Sequence, residues 1–207
     1  YPYGPLSENT YLIVDDQTGK CAVIDPGYFG DIIISDIDKC SSLDFILLTH
    51  GHYDHFAACP DYLNDYPDAV FAAPSDDTEL MYHSTDNKWF ANGSSRSVCP
   101  EASLLVREDD TIRLGETEIR VIGTPGHTGG GITFYADKMA FTGDTLFRLS
   151  VGATNYKTGN WETMVRTIQT KLYSLPDDTV VYPGHGPATT IGFEKKANPF
   201  VQSCNMD

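Results

Sequence analysis

Phe45-Ile46-Leu47-Leu48-Thr49-His50-Gly51-His52-Tyr53-Asp54-His55 runs from four consecutive apolar residues into four metal-competent side chains within six positions. An apolar, β-prone run of this length reads as a buried strand, so the histidines begin at the strand's C-terminal edge. His50 and His52 stand at i and i+2. On an extended or tightly turned segment, unlike on a helix, that spacing directs both rings to one side. A turn after His52 aims Asp54 and His55 at a second ion position beside the first.

Three more segments follow the same plan. Thr124-Pro125-Gly126-His127 and Tyr182-Pro183-Gly184-His185 each end an apolar strand in a rigid turn and a presented imidazole. Their glycines permit the sharp turn and keep bulk away from an ion. Phe141-Thr142-Gly143-Asp144-Thr145 ends another apolar run in a carboxylate. Five of the six histidines therefore lie in three motifs, and with two aspartates they form the candidate ligand set His50, His52, Asp54, His55, His127, Asp144 and His185. Imidazole and carboxylate suit Zn²⁺, Fe or Mn, and a catalytic site keeps a coordination position for water. His83 has no motif around it and reads as an ordinary residue at a helix end.

Patterning predicts strands at Tyr11–Val14, Cys21–Ile24, Phe45–Leu48 and Ala69–Ala73, with helices at Asp31–Lys39, Pro60–Asp65 and Asp76–Tyr82. From Ser103 onward strands dominate: Leu104–Val106, Thr111–Leu114, Glu118–Ile122, Ile132–Tyr135 and Lys138–Phe141, read as a meander. Trp161–Leu172 carries the i, i+3, i+4, i+7 stripe of an amphipathic helix with Asn160 as N-cap, and Thr179–Tyr182 is a strand delivering His185. Two β-rich stretches, each with helices and with ligands at strand ends, predict an α+β helix/sheet/sheet/helix sandwich over residues 1–207 as one domain, the site along one edge. Ser84–Pro100, with Asn92-Gly93-Ser94-Ser95, reads as a mobile loop, Asn198–Asp207 as a loosely held tail, and Glu194-Lys195-Lys196 as a solvated helix face.

Composition narrows the function. The net charge of −15, with 14 basic against 29 acidic residues and no basic run, disfavours nucleic acid or an anionic membrane surface as partner. No apolar run reaches the ~18 to 20 residues of a membrane span. The five cysteines are scattered without a C-x-x-C pair, which argues against a disulfide framework or zinc ribbon and suits a reducing cytoplasm. A small molecule is the expected partner.

His50-Gly-His52-Tyr-Asp54-His55 resembles the H-x-H-x-D-H signature of the metallo-β-lactamase superfamily, and His127, Asp144 and His185 match its later motifs. The resemblance extends from Asn9-Thr10-Tyr11 and Ile24-Asp25-Pro26-Gly27 to Pro183-Gly184-His185-Gly186. Within the superfamily the chain is most similar to the glyoxalase II-like hydrolases, through Gly143-Asp144-Thr145-Leu146-Phe147 and the tail from Thr190 to Phe200. That likeness implies a four-layer αββα sandwich holding two divalent metals, zinc foremost and iron or manganese as alternatives. It places one ion on His50, His52 and His127, the other on Asp54, His55 and His185, with Asp144 bridging, and it assigns Asp25 to orienting a ligand histidine.

The implied activity is hydrolysis of a small thioester or activated ester by a metal-bound hydroxide, with Asp54 and Asp144 as the catalytic carboxylates. Tyr28, Phe29, Tyr53 and Phe147 adjoin the motifs as candidate pocket walls, and Arg148 as a candidate partner for a substrate carboxylate. Two departures separate the chain from its likeness: Ala153 and Asn155 stand where relatives often carry Arg and Asp, and the sequence up to Asp207 is expected to leave no room for the C-terminal helical region of glyoxalase II. The alternatives are a mononuclear-iron persulfide dioxygenase, a lactonase or β-lactamase, an RNase Z-like phosphodiesterase disfavoured by the acidity, and a metal-binding protein without catalysis.

Overall fold

The computed structural model describes residues 1–3, 7–84, 87 and 99–202. In the first half β1 (Pro2–Tyr3) pairs with β2 (Glu8–Asn9), followed by β3 (Tyr11–Val14), β4 (Lys20–Ile24), α1 (Asp31–Ile37), β5 (Ser42–Leu47), α2 (Tyr53–Phe56), α3 (Cys59–Asp65), β6 (Val70–Pro74), α4 (Thr78–His83) and β7 (Leu104–Val106). The second half comprises β8 (Thr111–Leu114), β9 (Thr117–Gly123), β10 (Ile132–Ala136), β11 (Met139–Gly143), β12 (Leu146–Phe147), β13 (Ser150–Val151), α5 (Trp161–Thr170), β14 (Val180–Pro183), β15 (Thr189–Thr190) and α6 (Ile191–Ala197). One sheet has the order β3-β4-β5-β6-β7 and the other β15-β14-β11-β10-β9-β8.

Alternation along the strands creates the four layers, because successive side chains point to opposite faces of a sheet. In β4, Ala22 and Ile24 face the second sheet, whereas Cys21 and Val23 face α1 and α3. In the next segments Leu47 and Ala72 join the inter-sheet core with Phe134, Val121 and Phe141, while Ile46, Leu48 and Phe71 join the helix side with Ile33, Tyr62 and Met81. On the outer face of the second sheet, Ala140 and Val181 pack with Met164 and Ile168 of α5 and Ile191 of α6. Three buried clusters between four layers are the predicted αββα sandwich.

The meander reading applies to β8 through β11, which pair antiparallel in chain order. It fails for β7, which instead pairs in parallel with β6 at the edge of the first sheet. Alternation specifies which face a residue buries and not which strand lies beside it. With Leu104 and Leu105 exposed and only Val106 buried, β7 carries little pattern to select a partner.

Asn160 caps α5, its Oδ1 accepting from Thr163 N at 2.8 Å. Asn160→Ala is expected to cost about 1 kcal/mol, read by urea unfolding followed by circular dichroism. The predicted loop Ser84–Pro100 lies outside the described residues apart from Ser84, Asn87, Cys99 and Pro100. Of the tail expected to be loosely held, Asn198 and Val201 are buried, and 203–207 lie outside the described residues. No helix among the described residues is long and apolar enough to cross a membrane.

Candidate metal centre

Strand direction explains why distant motifs meet. β4 and β5 are parallel, as are β11 and β14, and β9 runs with β11 because both are antiparallel to β10. The residues that follow these strands, Asp25, His50, His127, Asp144 and His185, therefore emerge at common edges. Hydrogen bonds from Ile132 N to Thr49 O (2.9 Å) and from Asn9 N to Gly184 O (2.7 Å) tie the edges together. Asn9 Nδ2 also donates to Pro183 O and Gly186 O, clasping the loop that carries His185.

Two glycines have no substitute in these loops. Gly126 has φ +147°, and a Cβ there would lie 2.5 Å from Met164 Cα of α5. A Cβ on Gly184 would run into the Asp144 carboxylate and the His55 ring.

Three of the imidazoles are oriented by their other nitrogen. Ala153 O accepts from His127 Nδ1 at 2.6 Å, which leaves Nε2 as the free donor atom for a metal. Asp25 Oδ2 accepts from His55 Nδ1 at 3.0 Å and from Thr49 Oγ1 at 2.7 Å. Because Thr49 Oγ1 spends its proton on Asp25, it accepts from His50 Nδ1 at 3.1 Å. One buried carboxylate thus turns both His50 Nε2 and His55 Nε2 inward, the orienting role that the resemblance implied.

The inward atoms form two groups. His50 Nε2 lies 3.1 Å from His52 Nδ1, which lies 2.8 Å from His127 Nε2. The second group joins Asp54, His55 and His185, with His185 Nε2 3.4 Å and His55 Nε2 3.8 Å from Asp54 Oδ2. Asp144 stands between them, Oδ1 3.4 Å from His55 Nε2, and Oδ2 3.4 Å from His127 Nε2 and 3.5 Å from His185 Nε2. Donor atoms bonded tetrahedrally at 2.0–2.1 Å to one ion lie about 3.4 Å apart, so these spacings fit divalent metals. His55 Nε2 and Asp144 Oδ1 are also buried without a hydrogen-bond partner, a state that an ion would relieve.

Burial strips His50 and His52 of charge. His50 is held well below the usual imidazole range by burial and then by its neighbouring imidazoles, and His52 is pushed to about 3 by burial and then His127. In the second triad burial opposes charge on His55 and His185, but Asp54 and Asp144 outweigh it and raise both. Burial likewise opposes ionisation of Asp54 and Asp144, yet the adjacent imidazoles hold both below the usual carboxylate range. Neutral imidazoles and ionised carboxylates are the forms that ligate metal, so an ion at the second triad would displace the protons that Asp54 and Asp144 favour on His55 and His185.

The predicted wall residues take different places. Phe147 stands edge-on to His185 with ring centroids 6.0 Å apart. Tyr53 packs on Phe56, and Phe29 on Tyr62. Arg148 is exposed, its guanidinium 5.6 Å over the Phe193 ring of α6.

Glu194 overturns the expectation of a solvated helix face, because it is completely buried. Its carboxylate accepts from Leu149 N (3.0 Å), Thr189 Oγ1 (2.6 Å) and Asn198 Nδ2 (2.8 Å), anchoring the β12–β13 hairpin that carries Phe147. Glu194→Ala leaves three donors without this acceptor. A loss of about 3 kcal/mol is expected in thermal unfolding of the metal-free protein, with Glu194→Gln retaining part of it.

Three further residues escaped the sequence reading. Asp77 is buried and accepts from Gly51 N (2.9 Å), Thr128 Oγ1 (2.7 Å) and Gly130 N (2.7 Å), joining the loops of His50–His52 and His127. Asn87 donates to Gly51 O and Leu80 O and accepts from Tyr53 N. Tyr156 places its ring 4.8 Å from His52 and 5.4 Å from His127, centroid to centroid. No local motif marks these positions, and apart from Leu80 their partners are 26 or more residues away in the chain.

The profile of the metallo-beta-lactamase superfamily matches residues 3–185. The chain is 38% identical to a probable metallo-hydrolase of Streptococcus pyogenes, over 93% of this chain and 85% of that one. It is 33% identical to the hydroxyacylglutathione hydrolase GloC of Haemophilus influenzae, over 98% and 96%. Among solved structures it is similar to the BLEG-1 B3 metallo-beta-lactamase, with TM-score 0.87 and 28% identity over 97% of both chains. It is also similar to TTHA1623 in a di-iron-bound form, with TM-score 0.79 and 31% identity over 97% and 98%.

Proposed function

The chain belongs to the metallo-beta-lactamase superfamily and is a metallo-hydrolase, and from that premise we propose that it uses two metal ions to hydrolyse a small thioester or activated ester, as glyoxalase II does. The observation that carries the reading is the Asp144 carboxylate, which has one oxygen toward His55 and the other toward His127 and His185. The resemblance to GloC supports the thioester, and the di-iron form of TTHA1623 supports two ions.

Ions held by these residues would acidify a water molecule and polarise the substrate carbonyl. The protein's own part is positional. Asp25, Thr49 and Ala153 O lock three imidazoles in the ligating tautomer, so little reorganisation remains for the reaction. Asp54, with its side chain 23% exposed against 11% for Asp144, is the carboxylate placed to accept a proton at the open side. A thiolate, from a thiol of pKa near ~8.5, leaves without a strong general acid, so the site needs no dedicated donor for it.

The test is metal content of protein purified without chelator, with turnover of a thioester panel that includes S-lactoylglutathione. About two ions per chain with thioester hydrolysis is the expected result. One iron per chain with oxygen uptake on a persulfide, and no hydrolysis, would replace this reading by the dioxygenase alternative.

A further inference from the structure

We propose that Tyr156 contacts the substrate and limits the size of the acyl group accepted beside the His50–His52–His127 position, which restricts the protein to short acyl groups; the word acyl rests on the hydrolase reading above. Tyr156 belongs to a loop fastened at both ends to the loop of His127. Ala153 O accepts from His127 Nδ1, and Asn160 N donates to Gly126 O at 2.8 Å. Between these anchors Gly159 N donates to Tyr156 O at 3.0 Å, closing a tight turn.

The position of the ring is therefore coupled to that of a ligand histidine. Tyr156 meets His52 at 60° and His127 at 82°, edge contacts on the two imidazoles whose inward nitrogens lie 2.8 Å apart. Its side chain is only half-buried, so part of the ring is open beyond its contacts with the two imidazoles. Phe147, also half-buried, borders the other triad at His185. A ring thus flanks each triad, with the bridging Asp144 between them. Rings carry large apolar area on few rotatable bonds, which suits them to discriminate by size and polarity.

The test uses the cobalt(II)-loaded protein titrated with acetate, butyrate and benzoate, followed by visible absorption, and then thioesters of the same three acyl groups on one thiol. The wild type is expected to favour acetate over benzoate in both assays. Tyr156→Ala is expected to shift the benzoyl-to-acetyl ratio toward benzoyl by about tenfold, Tyr156→Phe to keep the wild-type ratio, and Tyr156→Trp to move it the other way. Equal ratios in the Ala and Trp variants would overturn the assignment. A shifted carboxylate ratio without hydrolysis of any thioester would uphold Tyr156 and sink the hydrolase reading instead.

Discussion

Asp144→Ala is expected to reduce bound metal from about two ions per chain to one or fewer and to slow hydrolysis by on the order of 10³-fold or more, with the fold retained. The size follows from its place: its oxygens face both triads, 3.4 Å from His55 and His127 and 3.5 Å from His185. Retention of the fold follows because the sandwich is held by three apolar clusters to which Asp144 does not belong. His127→Ala is expected to behave alike at the first ion position. Metal analysis, far-UV circular dichroism and thioester hydrolysis on the same preparation check both variants. Full activity with full metal in either one would refute the bridged two-metal centre.

Asp77→Ala should have the largest effect on stability. It leaves two backbone N–H groups and a hydroxyl without their buried acceptor, at about 1–3 kcal/mol each when unmet, so a loss of about 3 kcal/mol or more is expected. Against a typical total of about 5–15 kcal/mol this is a large fraction. Metal affinity should fall with it, by roughly 10–100-fold at the first position, because Gly51 lies between His50 and His52 and Thr128 follows His127. Urea unfolding of the metal-free protein measures the first effect, and chelator competition on the loaded protein the second. Lost stability with unchanged metal affinity would show that Asp77 supports the fold alone.

The candidate ligand set was legible because each member lies in a local pattern: an apolar run, a turn, then an imidazole or carboxylate. Asp25 was legible only through the resemblance, and its link to both His50 and His55 through Thr49 needed coordinates. Glu194 misled because a Glu-Lys-Lys triplet has the composition of a solvated face, and nothing adjacent in sequence reveals the Leu149 N–H, 45 residues away, that it satisfies. Tyr156 was silent because an aromatic residue in a polar loop has no periodicity to place it.

By itself the sequence determined which residues pair in alternation, where strands end, and which chemistry those ends present, since a two-residue period and a strand–turn–ligand motif are local properties. The tertiary structure alone decided which strands are neighbours, that β7 joins the first sheet, and which polar groups serve the site from afar. Asp77 reaches partners 26, 51 and 53 residues away. Such contacts form when two sheets close on each other and bury the donors, so the choice of partner depends on topology and on which groups would otherwise lose water.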